Sequence, residues 1–340
     1  MDIGARLALM AAHEAMQHAG LDGPLPDARR VGVVLGSSRG PSQKWEEAYQ
    51  LLRGGQRVRP TMAATTTLAG GPGVICQATG ARGPAWLVAA ACASGAYALA
   101  QSAEQILLGN ADIMLAGGAD DALHTVVVEG LRSAKVLAHG SGGPEELCRP
   151  FGSGRTGLVP GNGAGMLVLE SLSSAQRRGA TPLAVLSGWG LLTEPAGMAG
   201  INASGLARTM TRALHVAGLQ PPDIGYIHTH GTGTVANDSA EAAAITTVFG
   251  SHIPPCCGTK PVTGHCLGAT AAMEAIMAIK SLQEGVLAPS PKWVRRDPQI
   301  SLPEAGAHPV PGLAHALANA AAFWGFQSSI IFSRWQQGNP

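Results

Sequence analysis

Short apolar runs, most of them containing glycine, alternate along this chain with longer Ala/Leu-rich stretches, and that alternation limits what it can fold into. The runs are "VGVVLGSS" from Val31, "WLVAAA" from Trp86, "ADIMLAGG" from Ala111, "GMLVLES" from Gly165, "IGYIHTHG" from Ile224 and "SSIIFSRW" from Ser328. Continuous apolar runs of this length suit strands covered on both faces. Between them the pattern predicts helices over 95–108, 203–217, 238–249 and 269–283, and the opening "MDIGARLALMAAHEAMQHAGL" reads as an amphipathic helix stopped near Gly20. Strand alternating with helix predicts an α/β protein. With 340 residues, 46% of them hydrophobic, the chain can bury one large core or two closely packed ones. The Gly/Pro-rich stretch 141–165 predicts a division into halves 1–155 and 156–340.

Charge and cysteine usage narrow the function. The 23 basic and 22 acidic residues nearly cancel, giving +1, so no overall field favours nucleic acid or an anionic membrane. Asp2, Arg6, His13 and Glu14 interrupt the apolar N-terminus well short of a signal core. No window approaches the run of about eighteen apolar residues expected of a membrane span, and a cytoplasmic protein is expected. Six cysteines at irregular spacings, without paired C-x-x-C groups, argue against disulfides and structural zinc.

Three stretches hold chemistry. Cys92, in "VAAACASG", is either a small core hydrophobe or a nucleophile at a strand-to-helix junction, where free N–H groups and the helix dipole favour a thiolate. In "HTHGTGTVANDSAEAAAI", Asp238 reads as a helix N-cap and Glu241 as its capping-box partner, whereas His230 has no such structural explanation. His228 and His230 would share one strand face, but no third metal ligand follows at a suitable spacing. In "GTKPVTGHCLGATAAMEAIMAIKSL", Lys260 and His265 lead into a helix. Lys260 is a solvated loop residue or a buried charge paired with Glu274, and the local sequence favours the solvated reading. A thiol and two imidazoles at such junctions would suffice for thioester attack and for stabilising an enolate, and hence for making a carbon–carbon bond.

These residues also carry a resemblance. "AACASG", "HTHGTGT" and "GTKPVTGHCLGA", in that order, with "GNADIMLAGGADD", "RPF" at Arg149 and "GNGAGMLVLES" between them, resemble the motif set of the β-ketoacyl-ACP synthases of the thiolase superfamily, over nearly the whole chain. The resemblance implies a duplicated, five-layered αβαβα thiolase-like fold, usually dimeric, as a homodimer or with another ketosynthase-like subunit. It implies acyl and malonyl groups delivered by acyl carrier protein, and no cofactor or metal. Cys92 would take the acyl group as a thioester, while His230 and His265 would promote malonyl decarboxylation. Lys260 would support the site through Glu274, and the backbone N–H groups of Cys92 and Phe323 would form the oxyanion hole. The Cys-His-His set resembles the elongating branch.

The chain departs from that family in three places. It begins at what resembles an internal helix, so the opening strand and helix are expected to be missing, leaving an unpaired sheet edge unless something covers it. The basic carrier-docking positions of that stretch would be missing too, with Arg53, Arg57 and Arg59, or Arg132 and Lys135, as candidates to replace them. The family's C-terminal glycine-rich turn reads here as "AFWGFQ", which makes Trp324 and Phe326, with Thr67, candidates to line or gate the acyl pocket. Gly152, Thr156 and Asn162 stand where relatives commonly carry acids. The expected activity is decarboxylative Claisen condensation in a type II fatty-acid or polyketide-like pathway. The alternatives are a non-elongating partner subunit of the chain-length-factor type and a Cys-dependent acyltransferase.

Overall fold

The computed structural model describes residues 1–195, 197–288, 295–306 and 309–336. They form two compact units, the first comprising Met1–His124, Asn162–Thr181 and Cys266–Met273, the second Thr125–Gly161, Pro182–His265 and Glu274–Pro340.

The first unit is built on four strands, β1 (Val31–Gly36), β2 (Ala85–Val88), β3 (Ile113–Asp120) and β4 (Gly163–Glu170), in the order β2-β1-β3-β4. β1 runs parallel to β2 and β3, and β4 runs antiparallel to β3. Successive β1 residues serve opposite faces, as the two-residue strand period requires. Val33 and Leu35 join Ala8, Ala12 and Met16 of helix α1 (Ile3–His18), while Val34 packs with Ala98 and Met114 on the other face. Asp2 caps α1 by accepting the Ala5 N–H at 3.0 Å. Three further helices, α2 (Ser42–Arg53), α3 (Gly70–Thr79) and α4 (Ser94–Leu107), belong to this unit. α4 lies so close to β1 that a Cβ on Gly36 would stand 2.5 Å from the Ser94 backbone.

The second unit contains β5 (Ala184–Thr193), helix α5 (Ala203–Ala217), β6 (Tyr226–His228), helix α6 (Val235–Phe249), β7 (Cys256–Cys257), β8 (His315–Ala321) and β9 (Phe326–Arg334). Its strand order is β5-β9-β8-β6-β7, with β6 parallel to β7 and β8, and β9 antiparallel to β8 and β5. The four strands of the first sheet thus recur in the second with the same order and sense, β7-β6-β8-β9 answering β2-β1-β3-β4. The chain is an internal duplication, as expected. The one strand without a counterpart is β5, which pairs along the outer edge of β9. The equivalent edge of β4 pairs with no strand among the described residues, and six of its eight residues are only half-buried. Helix α7 (Thr270–Glu284) follows the His265 segment, and no helix among the described residues is long and apolar enough to cross a membrane.

Candidate active site

Cys92 stands in the first unit, between β2 and α4, 8% exposed. The chain turns sharply there. Ala91 takes a left-handed backbone conformation (φ 47°), one that a non-glycine residue holds only when its surroundings impose it. Ser94 supplies part of that restraint, because its hydroxyl accepts the Ala90 N–H at 2.9 Å and donates to the Ala91 carbonyl at 2.6 Å. Gly95, one residue further, has no room for a side chain, since a Cβ would lie 2.7 Å from the Ala272 nitrogen. The thiol therefore sits two residues ahead of a fourteen-residue helix, on a turn whose shape is fixed by neighbouring backbone. Asp120, at the end of β3, steadies the same unit. Buried and pushed upward in pKa by that burial, it accepts from the Ser37 hydroxyl (2.6 Å) and from the N–H groups of Ser38 (2.7 Å), Arg39 (3.2 Å) and Gly268 (2.7 Å).

The second unit brings His230, His265, Lys260 and Glu274 together, all four buried. The imidazoles of His230 and His265 meet edge to face, with centroids 5.4 Å apart and planes at 84°. Lys260 Nζ donates to the His230 carbonyl and, at 2.6 Å, to Glu274 Oε1, and it lies 3.4 Å from His230 Nδ1. Burial first, and the Lys260 charge second, hold both imidazoles well below the usual histidine pKa. His228, also fully buried, is lowered to about 3 for the same two reasons. Glu274 is pushed the other way, to about 7, by burial, with Lys260 pulling it back. The solvated reading of Lys260 is therefore wrong. Its stretch is small and apolar because it is interior, and the partner is Glu274.

Two carboxylates on α6 shape the His230 loop. Glu241 accepts the N–H groups of His230 and Gly231, each at 2.8 Å, and Asp238 accepts those of Thr232 (3.0 Å), Gly233 (3.3 Å) and, through its other oxygen, Phe151 (2.7 Å). This corrects the capping-box reading. The N-cap is Thr234, whose side chain accepts from the Asn237 N–H, and α6 begins at Val235, so Asp238 lies already one turn inside. The loop has the tight path its glycines permit, and a Cβ at Gly233 (φ 79°) would stand 2.7 Å from the Gly157 carbonyl oxygen. His265 is fixed by its backbone, its N–H donating to Val159 O at 2.7 Å and its carbonyl accepting the Gly161 N–H at 3.1 Å.

The remaining candidates are dispersed. Thr67 is exposed and donates to the Ala64 carbonyl, lining a small cleft in the first unit with Gly40, Pro41 and Leu68. Phe323 opens the turn before β9, half-buried, and Phe326 is half-buried as β9 begins. Trp324 is 63% exposed and left-handed (φ 65°), its N–H donating to the Met198 carbonyl at 2.9 Å, so its ring does not fill the interior.

Residues 1–175 match the N-terminal domain of β-ketoacyl synthase, and residues 183–293 match its C-terminal domain. Nodulation protein E of Rhizobium leguminosarum bv. trifolii is 39% identical over 336 residues, covering 98% of this chain and 82% of that protein. The 3-oxoacyl-[acyl-carrier-protein] synthase 2 of Staphylococcus aureus (strain COL) is 33% identical over 353 residues, covering 99% and 83%. Among solved structures, the ishigamide ketosynthase/chain length factor superposes with a TM-score of 0.90 at 30% identity, covering 99% of this chain and 83% of that one. A ketosynthase in complex with its type II polyketide-synthase acyl-carrier protein superposes with a TM-score of 0.89 at 28% identity, covering 98% and 85%. The sheets, the duplication and both halves of the family model agree, and the chain belongs to the β-ketoacyl synthase family, with its thiolase-like α/β fold.

Proposed function

We propose that this ketosynthase elongates an acyl chain by decarboxylative Claisen condensation with malonyl-ACP. The observation that carries the reading is the edge-to-face pair of buried imidazoles of His230 and His265 beside the Lys260–Glu274 ion pair, where burial and the Lys260 charge favour their neutral forms. The Cys92 thiolate attacks the acyl thioester, the carrier thiol leaves with its electron pair, and the acyl group stays on sulfur. The malonyl carboxylate then departs as CO2, and the electrons of the broken C–C bond become an enolate. Neutral imidazole donors suit that enolate, because they stabilise the developing oxyanion without having to give up a full charge. Lys260, facing His230 Nδ1, favours the tautomer with its proton on Nε2, which leaves that N–H to donate. The enolate carbon attacks the Cys92 thioester through a tetrahedral oxyanion, for which the N–H groups of Cys92 and Phe323 are the proposed donors. Collapse releases the thiolate and the 3-oxoacyl product.

The proposed partners are an acyl carrier protein and a second ketosynthase-like subunit, identical or not. Six cysteines at irregular spacings, without paired C-x-x-C groups, suit a reducing, cytoplasmic compartment. Intact-mass measurement tests the reading. Wild type incubated with acyl-ACPs should gain an acyl adduct that Cys92→Ala lacks, and malonyl-ACP should discharge it as a 3-oxoacyl product. An adduct discharged to another acceptor would mean acyl transfer without condensation, and no adduct on a folded protein would mean a non-elongating partner subunit.

A further inference from the structure

Four successive backbone N–H groups, those of His230, Gly231, Thr232 and Gly233, donate to two carboxylates of α6, the first two to Glu241 and the last two to Asp238. Asp238 reaches further than Glu241. Its Oδ1 also accepts from the Asn237 amide at 3.1 Å, and its Oδ2 accepts the Phe151 N–H at 2.7 Å. One fully buried carboxylate thereby ties the 149–155 turn to the His230 loop. Phe151 is left-handed there (φ 57°), and its ring presses on Gly231, where a Cβ would stand 2.8 Å from Cε2. The residue after His230 is thus fixed from below by the ring and from the side by the two carboxylates.

A carboxylate so far from water stays ionised only with help. Burial pushes the Asp238 carboxyl upward in pKa, while the Phe151 N–H, the Asn237 amide and the Arg155 charge pull it back. Arg155 is the only ion-pair partner of Asp238 among the described residues, its Nε 3.7 Å from Oδ2 and its side chain 6% exposed. The guanidinium is held on its other side as well. Nη1 donates to Asp297 at 2.6 Å and to the Gly152 carbonyl at 3.1 Å, and Nη2 donates to Ser239 Oγ at 3.3 Å. Asp297 in turn is joined to the turn by backbone, its N–H donating to the Phe151 carbonyl at 2.9 Å. A planar fork can hold several acceptors at fixed angles, which a lysine cannot do. Without that charge Asp238 would protonate more readily, and the acceptor of the Thr232 and Gly233 N–H groups would weaken.

We propose that Arg155 is a positioning residue for malonyl decarboxylation: through Asp238 it sets the path of residues 230–233 and with it the place of the His230 imidazole; this rests on the ketosynthase reading. Its loss should be felt where His230 works and not where Cys92 does. The test compares two steps in one protein. One is CO2 release from malonyl-ACP, made with the carrier of a type II fatty-acid synthase, and the other is Cys92 acylation by an N-acetylcysteamine thioester, read by intact mass. A misplacement of about 1 Å can cost about 10²-fold, so Arg155→Gln should slow CO2 release about tenfold or more through kcat. KM for malonyl-ACP and the acylation rate should stay close to wild type. Arg155→Lys, which keeps a charge beside Asp238, should restore part of the rate. In a His230→Ala background Arg155→Gln should slow CO2 release no further, because the imidazole it serves is gone. Should Arg155→Gln fail to fold, Asp297→Asn, which loosens the guanidinium from its more exposed partner, should show the same split between the two steps. Equal losses in both steps, as a merely structural residue would give, penalties that multiply in the double variant, or CO2 release unchanged in Arg155→Gln would each overturn the proposal. Failure of the ketosynthase reading looks different, because wild type itself would then release no CO2 or form no Cys92 adduct.

Discussion

Lys260 Nζ and Glu274 Oε1 lie 2.6 Å apart, their side chains 1% and 2% exposed, and Glu274 Oε2 has no hydrogen-bond partner among the described residues. Two charges taken so far out of water persist only as a pair, and removing either strands the other. Glu274→Ala should therefore destabilise the protein by about 3–5 kcal/mol in urea denaturation. Lys260→Met/Glu274→Leu, which removes both charges, should recover most of that loss while condensation stays impaired. Recovery of activity with stability would show that the pair serves only packing.

Glu241 makes a pH-dependent contribution of known sign. Burial pushes its carboxyl from 4.5 up to about 7, against the pull of the Gly231 and His230 N–H groups. Between those values the unfolded chain has released the proton and the folded one still holds it, so this contribution to stability is full below about pH 4.5 and is lost as pH rises through about 7. At about 1.4 kcal/mol per unit the loss is about 3 kcal/mol. Glu241→Gln lacks the titration, so its stability relative to wild type should improve by about that amount between pH 4.5 and pH 8. Parallel stability curves for the two proteins would show that the carboxyl does not carry this shift.

The strands that the sequence reveals are those buried on both faces, such as β1 and β3, where continuous Val, Ile, Leu and Met leave no other use for the segment. β8 shows the limit. "HALANAA" has alanine, the best helix former, at four of seven positions, and becomes a strand because β6 and β9 flank it. β5, broken by Ser187, Gly188 and Gly190, has no clean period at all. At the candidate site, residue types and motif order single out Cys92, His230 and His265, because the proposed chemistry would need those side chains. They do not locate the roles of Lys260 and Glu241. Whether a lysine in a turn-rich segment is solvated, or an acid near a helix start caps it, depends on distant chain, here α7 and the His230 loop.

The imidazoles can be separated from the thiol by experiment. Loss of one oxyanion donor typically costs 10²–10³-fold in rate, so His230→Ala and His265→Ala should each slow malonyl decarboxylation by roughly that factor. The Cys92 adduct should still form in both, read by intact mass. Because burial and Lys260 hold both histidines well below pKa 6.5, the wild-type rate of CO2 release should show no inflection at that pH. A rate that halves as pH falls through 6.5 would mean that an imidazole is exposed to titration in the working enzyme.

Trp324 separates backbone strain from pocket shape. Its left-handed conformation costs an L-residue about 1–2 kcal/mol, and glycine avoids that cost while giving back about 0.5–1 kcal/mol in chain entropy. The ring is 63% exposed, so little burial is lost when it is removed. Trp324→Gly should therefore stabilise the protein by about 0.5–1 kcal/mol in urea denaturation. The same exposure bears on specificity, since a ring that faces solvent does not set the length of an acyl chain. Product chain lengths from Trp324→Gly should match those of wild type, whereas Phe326→Ala, which opens space at a half-buried ring, is the substitution expected to shift them. A shift with Trp324→Gly and none with Phe326→Ala would place the tryptophan ring against the growing chain during turnover.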